Sequence, residues 1–348
     1  MKIGFFAETL IPIHANSIEE RALGGTETGV IRLAESLQRL GADVTVFTGL
    51  QNPPLSTPKY RHAPEIHRSE EFDALIVVQN IRPVFFKLPA KKVFFLTGDG
   101  PEQFPNIGLG DKRVIERLTG IFTVSEWQKK VLCEASGFPE DKCFYIGNGV
   151  HIPYFEGKEE RNKKRLMYSS APYRGLSVAF EIFKQLFVQD PEFEFHIFSG
   201  FDVYNREDKF SGPLVENFKK LEPEIALHPG CFLNGNITQR LLAREYMKSG
   251  ILFYPNIVDE TCCITALEAQ AGGCAVIASH RSALPQTVGD AGITLKEKPG
   301  TKEHIKESID AIISISNNLD FYSEKAISRI EREYSWEHVA QRVIAKIS

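Results

Sequence analysis

The chain has 348 residues, more than one average domain, so two domains are expected. Hydrophobic residues make up 43% and charged residues 25%, which is enough apolar material for a sizeable core. The formal net charge of −4 gives no electrostatic case for a nucleic-acid partner.

No apolar run approaches the ~18 residues of a membrane span. The opening MKIGFFAETL reads as a charged residue followed by a short strand and not as a secretory signal, so a cytoplasmic location is expected. The cysteines Cys133, Cys143, Cys231, Cys262, Cys263 and Cys274 form no C-x-x-C pair and no zinc-like spacing. They read as reduced, mostly buried thiols, and no metal site is expected.

The first half alternates β-rich runs with helical patterns. Strands are predicted at Lys2–Phe6, Asp43–Thr48, Asp73–Val78, Lys92–Thr97, Gly120–Val124 and Cys143–Ile146. Apolar Val30, Leu33, Ala34, Leu37 and Leu40 predict a helix over Thr26–Leu40, stopped by Gly41. A second helix is predicted at Ser125–Ser136, ended by Gly137 and Pro139. Asn148–Arg165 is polar, charged and broken by Gly and Pro, so it reads as a linker, with the basic cluster Arg161–Arg165 as a solvated face.

The pattern then restarts. Strands are predicted at Arg165–Ser169, Glu194–Ser199, Gly230–Leu233, Gly250–Tyr254, Cys274–Ala278 and Gly292–Leu295. Helices are predicted at Leu176–Val188, Thr238–Lys248 and Thr261–Ala271. The tail is helical, and Ser335 is placed to cap a last helix with Trp336, Val339, Val343 and Ile347 along one stripe. Two alternating series argue for an α/β protein of two Rossmann-like, doubly wound domains, with ligands at the carboxyl ends of the strands and in the cleft between domains.

Four stretches could carry chemistry. "ALGGTETG", Ala22–Gly29, follows strand one and fits neither G-x-G-x-x-G nor a P-loop. Gly24 and Gly25 at a helix N-terminus suit either an approaching anion or a ligand-free tight loop. "SSAPYRGL" sets Arg174 and Gly175 at a helix start, where the guanidinium suits phosphate oxygens or simply faces solvent. "FFLTGDGPEQF" puts Asp99 at a strand's carboxyl end, as a site residue or a turn aspartate.

The fourth stretch is "DETCCITALEAQAGG". If Glu260 and Glu268 shared one helix, they would stand ~80° apart with a ~12 Å rise, too far for one compact ligand. If the helix begins between them, Glu260 folds over its N-terminus and Glu268 looks toward the same end. An elongated ligand would then meet Glu260, the amides of Cys262, Cys263, Ile264 and Thr265, and Glu268 in turn. Amides suit phosphate and carboxylates suit hydroxyls, an order that describes a nucleotide sugar. Glutamates in a first turn are also ordinary dipole-favoured residues.

Together these stretches resemble the retaining glycosyltransferases of the GT-B fold, in the group 1 family (glycosyltransferase family 4). The resemblance covers nearly the whole chain. The family pattern E-x-[FC]-[GC]-[LI]-x-x-x-E-A-x-A-x-G-x-[PA]-V meets "ETCCITALEAQAGGCAV" here. "TVSEWQKKVL", "NGV", "ALPQTVGDAGI" and the glycine pair are also similar to the family.

The resemblance implies that Glu260 lies by the transferred sugar and Glu268 holds the ribose. Amides near Cys262–Thr265 would take phosphates, Gly24 and Gly25 would approach the diphosphate, and Arg174 would replace the family's phosphate lysine. Asn236 and Ile237 would frame the base. It also implies an acceptor-side domain over 1–152, a nucleotide-sugar domain over 153–334, and a last helix, 335–348, crossing back to the first. Three departures stand out. Serines fill "MYSSAPYR" where a second basic residue is usual, Asp99 stands where a cleft histidine is common, and Gln286 replaces an acidic residue.

The implied reaction moves a hexosyl unit from a nucleoside diphosphate sugar to an acceptor hydroxyl with retention, in glycan or polysaccharide biosynthesis. UDP-glucose or a similar UDP-sugar is the expected donor, from family frequency. Catalysis would fall to Glu260, Arg174 and Asp99, with no cofactor and no D-x-D metal motif. The loop Pro12–Arg21 would line the acceptor's side, and a lipid-linked acceptor would bring peripheral membrane contact. A sugar-nucleotide isomerase or hydrolase, or an inactive binding protein, remains compatible with the sequence. A nicotinamide enzyme does not fit, because neither half offers G-x-G-x-x-G.

Overall fold

The computed structural model describes residues 1–201 and 213–348. The described chain divides into two compact units, Met1–Gly149 with Tyr334–Ser348, and Val150–Glu333.

The first unit runs β1 (Lys2–Ala7), α1 (Ser17–Glu20), α2 (Gly25–Arg39), β2 (Asp43–Thr48), β3 (Lys59–His62), β4 (Phe72–Val78), β5 (Ala90–Leu96), α3 (Lys112–Arg117), β6 (Gly120–Thr123), α4 (Glu126–Ser136) and β7 (Cys143–Tyr145). Its sheet has the order β3-β2-β1-β4-β5-β6-β7, and the strand pairs are parallel. Alternate strand residues feed opposite faces. Phe5, Ala74 and Ile76 join one apolar cluster, while Phe6, Leu75 and Val77 join another. β3, KYRH, went unpredicted because it has no clean alternation and is an edge strand.

The second unit runs β8 (Asn162–Tyr168), α5 (Leu176–Gln189), β9 (Glu194–Ile197), α6 (Pro213–Leu227), β10 (Cys231–Leu233), α7 (Gln239–Lys248), β11 (Ser249–Tyr254), α8 (Ile264–Ala271), β12 (Ala275–Ser279), α9 (Leu284–Val288), β13 (Gly292–Leu295), α10 (Lys302–Asn317) and α11 (Leu319–Glu333). Its parallel strands lie in the order β10-β9-β8-β11-β12-β13. The order reverses between β1 and β4 in the first sheet and between β8 and β11 in the second. These are the points where loops part to opposite faces and leave a crevice.

Two expectations need correction here. The linker ends sooner than predicted, because β8 starts at Asn162 inside the polar stretch. The basic cluster is also no solvated face. Arg161 donates to the carbonyls of Ser249 (2.7 Å) and Gly272 (2.6 Å), the latter at the C-terminus of α8. Lys164 holds Asp190 and Glu192, and Arg165 pairs with Glu245.

The last helix, α12 (Trp336–Ile347), starts where Ser335 Oγ accepts the His338 amide at 3.2 Å. Trp336, Val339, Val343 and Ile347 are buried in the cluster that holds Val30, Leu33 and Leu37 of α2. The stripe therefore returns to the first unit. Trp336→Ala should lower stability by about 3–5 kcal/mol, the usual cost of emptying a large aromatic site. A denaturant midpoint shifted by less than about 1 kcal/mol would show that α12 does not support this unit.

Candidate active site

In the second unit the two loops beside the reversal are tied to one another. Beyond β8 the chain passes Ser169–Ala171 into the single turn Pro172–Arg174, then Gly175 opens α5. Gly175 has φ +136°, and a Cβ there would lie 2.5 Å from the Pro255 carbonyl oxygen. Only glycine allows that backbone torsion and that approach. The Ile257 amide also donates to the Arg174 carbonyl at 3.1 Å. The loop after β8 therefore rests directly on the loop after β11.

Beyond Tyr254 the chain must double back. Asn256, fully buried, enforces the turn: its amide donates to the Val258 carbonyl (2.7 Å) and accepts the Val258 N–H (2.9 Å). Two successive carboxylates then diverge. Asp259 accepts from Arg281 (2.8 Å) and Ser282 (2.6 Å) at the surface. Glu260 turns inward, with its side chain 9% exposed. Its Oε1 accepts from Arg174 Nη1 and, at 2.6 Å, from the Tyr254 hydroxyl.

Burial is the largest single influence on Arg174 and lowers its basicity, but the Glu260 charge together with Tyr254 and Tyr173 outweighs it and holds the guanidinium firmly protonated. Burial first, then the Glu260 charge, pushes the Tyr254 hydroxyl well up, so it stays a donor. Removing one partner of such a buried pair costs about 3–5 kcal/mol, because the other charge is left unpaired.

The helix does begin between the two glutamates. The sequence placed its start at Thr261, whereas α8 starts at Ile264, with Cys263 as N-cap at φ 67°, ψ 77°. A left-handed N-cap favours glycine, which the family pattern admits there, and in this chain Cys263 holds that torsion. The amides of Ile264 and Thr265 open the helix and have no acceptor within it. The Cys262 carbonyl accepts from Thr287 Oγ1, and the Thr265 hydroxyl donates to the Ser169 carbonyl at 3.1 Å. These bonds fix the helix start against β8 and α9. Glu268, buried on α8, accepts from Gln239 Nε2 at the start of α7. Asn236 and Ile237 lie half-buried in the loop just before that helix.

One expectation changes in kind. The sequence offered Arg174 and Glu260 as separate agents, a cation for phosphate and a carboxylate for sugar. In the structure they are bonded to each other. Arg174 sits in the turn just before α5, as the predicted helix over Leu176–Val188 implies.

The first unit has its own carboxyl-end cluster at the β1/β4 reversal. Gly24 is the N-cap of α2 at φ −74°, ψ 169°, an extended torsion open to any residue. Thr26 Oγ1 accepts from Gln79 Nε2 at 2.7 Å, which joins the first turn of α2 to the residue just beyond β4. Gln79 holds φ 56°, uncommon for a residue with a side chain. The Asp99 amide donates to Thr97 Oγ1 (3.2 Å), and its carbonyl accepts from Gln128 (2.9 Å) and Asn106 (3.2 Å). Asp99 therefore stands on a loop clamped by two side-chain amides.

Sequence reasoning missed Tyr254, Gln239, Gln79 and Gln128. Their partners lie 6, 29, 53 and 29 to 31 residues away, and only Gln128 falls in a family-like stretch, TVSEWQKKVL, that did not single it out. Among the described residues no three His, Cys, Asp or Glu side chains converge as metal ligands. No described helix is long and apolar enough to cross a membrane.

The family model described as "Glycosyl transferases group 1" matches residues 154–329, just over half of the chain. The lipopolysaccharide 1,2-N-acetylglucosaminetransferase of Salmonella typhimurium is 28% identical over 182 residues, which is 51% of this chain and 46% of that enzyme. The chain thus matches a little under half the length of that relative. Sucrose-phosphate synthase from Thermosynechococcus elongatus superposes with a TM-score of 0.72 at 16% identity, over 99% of this chain and 97% of that one. HepE from Anabaena superposes in its complex with UDP (TM-score 0.73, 13% identity, 100% of this chain and 99% of that one). Its complex with UDP-glucose gives a TM-score of 0.71 at 13% identity over the same shares. These likenesses identify the two-unit α/β architecture as the GT-B fold.

The left-handed N-cap yields a test. Cys263→Gly should change stability by no more than about 1 kcal/mol, while Cys263→Val should cost about 2 kcal/mol, because a β-branched residue resists positive φ. Thermal melts of the two variants check this. Equal melting temperatures would show that the torsion is not constrained.

Proposed function

The chain belongs to the group 1 glycosyl transferases, and from that premise we propose that it moves a hexosyl unit from a UDP-sugar, UDP-glucose or similar, to an acceptor hydroxyl with retention at the anomeric carbon. One observation carries the reading. Beside the β8/β11 reversal, Glu260, the opening amides of α8 and Glu268 follow one another in the order that a sugar, a diphosphate and a ribose require. The HepE structures with UDP and UDP-glucose, on the same fold, favour a uridine carrier. The lipopolysaccharide relative favours a glycan or lipid-linked acceptor and a place in polysaccharide biosynthesis; peripheral contact with a membrane surface and a cytoplasmic location belong to the same proposal.

In this mechanism the bond between the anomeric carbon and the diphosphate oxygen breaks, and the acceptor oxygen joins the anomeric carbon on the same face. The proton of the acceptor hydroxyl passes to the leaving diphosphate. Arg174 and the amides of Ile264 and Thr265 take up the charge that develops there, with the positive end of α8 behind them. Glu260 accepts from hydroxyls of the transferred sugar, Glu268 holds the ribose hydroxyls, and Asn236 and Ile237 frame the base. Asp99 serves the acceptor. No cofactor takes part in these steps.

A UDP-release assay tests the proposal, run with UDP-glucose, UDP-galactose and UDP-N-acetylglucosamine against a panel of glycan acceptors. Release that depends on acceptor, with an α-linked product by NMR, is expected. Equal release without acceptor would mean a hydrolase. In the same assay Glu260→Gln should lower kcat at least about 100-fold, the scale for losing a group that orders transition-state charge; near-normal turnover would remove Glu260 from the chemistry. Arg174→Ala should raise the Kd for UDP about tenfold or more in calorimetry.

A further inference from the structure

Arg174 presents a conflict. The proposed reaction needs its charge on the diphosphate, yet in the structure Arg174 is paired with Glu260. Nη1 is committed to Glu260, and a two-pronged grip on the diphosphate by the planar fork competes with that commitment. A diphosphate arriving beside Glu260 also brings negative charge toward a carboxylate that is 9% exposed. Arg174 can turn to the phosphate only if Glu260 keeps another donor, because a buried carboxylate stripped of partners is unfavourable.

The structure supplies that donor. The Tyr254 hydroxyl meets the same Oε1 at 2.6 Å. Tyr254 ends β11, is 1% exposed, and its ring packs against Tyr168 with centroids 5.9 Å apart. It is anchored in the core, whereas the Arg174 side chain is 33% exposed, with its guanidinium 5.8 Å from the centroid of the neighbouring Tyr173 ring. Ser170 Oγ donates to the Tyr254 hydroxyl at 3.4 Å, so the single phenolic proton is directed at Glu260. One partner of the carboxylate is held in the core and the other stands at the edge of solvent.

We infer that Tyr254 is a positioning residue that lets Arg174 be exchanged from Glu260 to the donor's diphosphate. In the free protein Glu260 stores the arginine in a neutral pair. When nucleotide binds, Arg174 turns to the phosphates and Glu260 stays in place on Tyr254, facing the sugar. Without the phenol, Glu260 has only Arg174 to satisfy it, and the arginine is trapped. The inference rests on the nucleotide-sugar reading above.

A double-mutant cycle on nucleotide binding tests it without any acceptor. UDP, ADP, GDP and dTDP are titrated into the intact wild-type protein by calorimetry, and the tightest becomes the probe. Binding by none of the four overturns the nucleotide-sugar reading and the inference with it. With the probe in hand, Tyr254→Phe should raise Kd about tenfold. Glu260→Gln should leave Kd unchanged or lower it, because the amide no longer holds the guanidinium by charge. Adding Tyr254→Phe to Glu260→Gln should change Kd less than about twofold. An unchanged Kd in Tyr254→Phe overturns the exchange while the nucleotide reading stands. So does an equal loss in both backgrounds, which marks a merely structural tyrosine. A tenfold weaker Kd in Glu260→Gln alone also overturns it, because Glu260 would then not compete for Arg174.

Discussion

A buried carboxylate must find donors, and the second unit is arranged around meeting that demand for Glu260. The residue lies on the inner side of a turn that Asn256 enforces, under a surface ion pair made by its neighbour Asp259. One donor comes from the core at the end of β11 and the other from the loop after β8. That second loop reaches it only because Gly175 has no Cβ to strike the Pro255 carbonyl. The parallel strand order makes the geometry available, since β8 and β11 are neighbours whose following loops part at the reversal. Fold, loop contact and charge pairing are therefore successive consequences of one arrangement.

Strain gathers in the same places. Among the described residues, Gln79, Cys263 and Ser282 are the non-glycine residues at positive φ. Each lies in a loop beyond the carboxyl end of a strand: β4, β11 and β12. Gln79 reaches back to Thr26, Cys263 caps α8, and Ser282 holds Asp259. A left-handed residue with a side chain costs on the order of 1 kcal/mol or more, and persists only where its surroundings over-determine it. Here those surroundings are the hydrogen bonds that fix the helix starts and the candidate ligand groups. Such rigidity suits a protein whose proposed chemistry is positioning and charge stabilisation.

The sequence showed the strands because parallel strands buried on both faces are near-continuous apolar runs, as in β11 and β12. It showed the glutamate pair because a short motif survives in one stretch of chain. It could not show that Arg174 meets Glu260, since 86 residues separate them and only the folded sheet brings them together. Tyr254 read as the last apolar residue of a strand, although its hydroxyl is the part that matters. Gln239 sat in an unremarkable helix start, 29 residues from the carboxylate it holds. Arg161 looked solvated because its acceptors, two backbone carbonyls, are 88 and 111 residues away. The start of α8 was placed three residues early because apolar periodicity carries no signal for a left-handed cap. The family pattern, which takes glycine or cysteine at Cys263, did carry one.

The most direct test is a crystal structure of the protein with UDP bound. The account predicts ribose hydroxyls within hydrogen-bond reach of Glu268, phosphate oxygens on the amides of Ile264 and Thr265, and Arg174 turned from Glu260 toward the diphosphate. UDP seated elsewhere, or at this site with neither glutamate nor helix amide in contact, would contradict it.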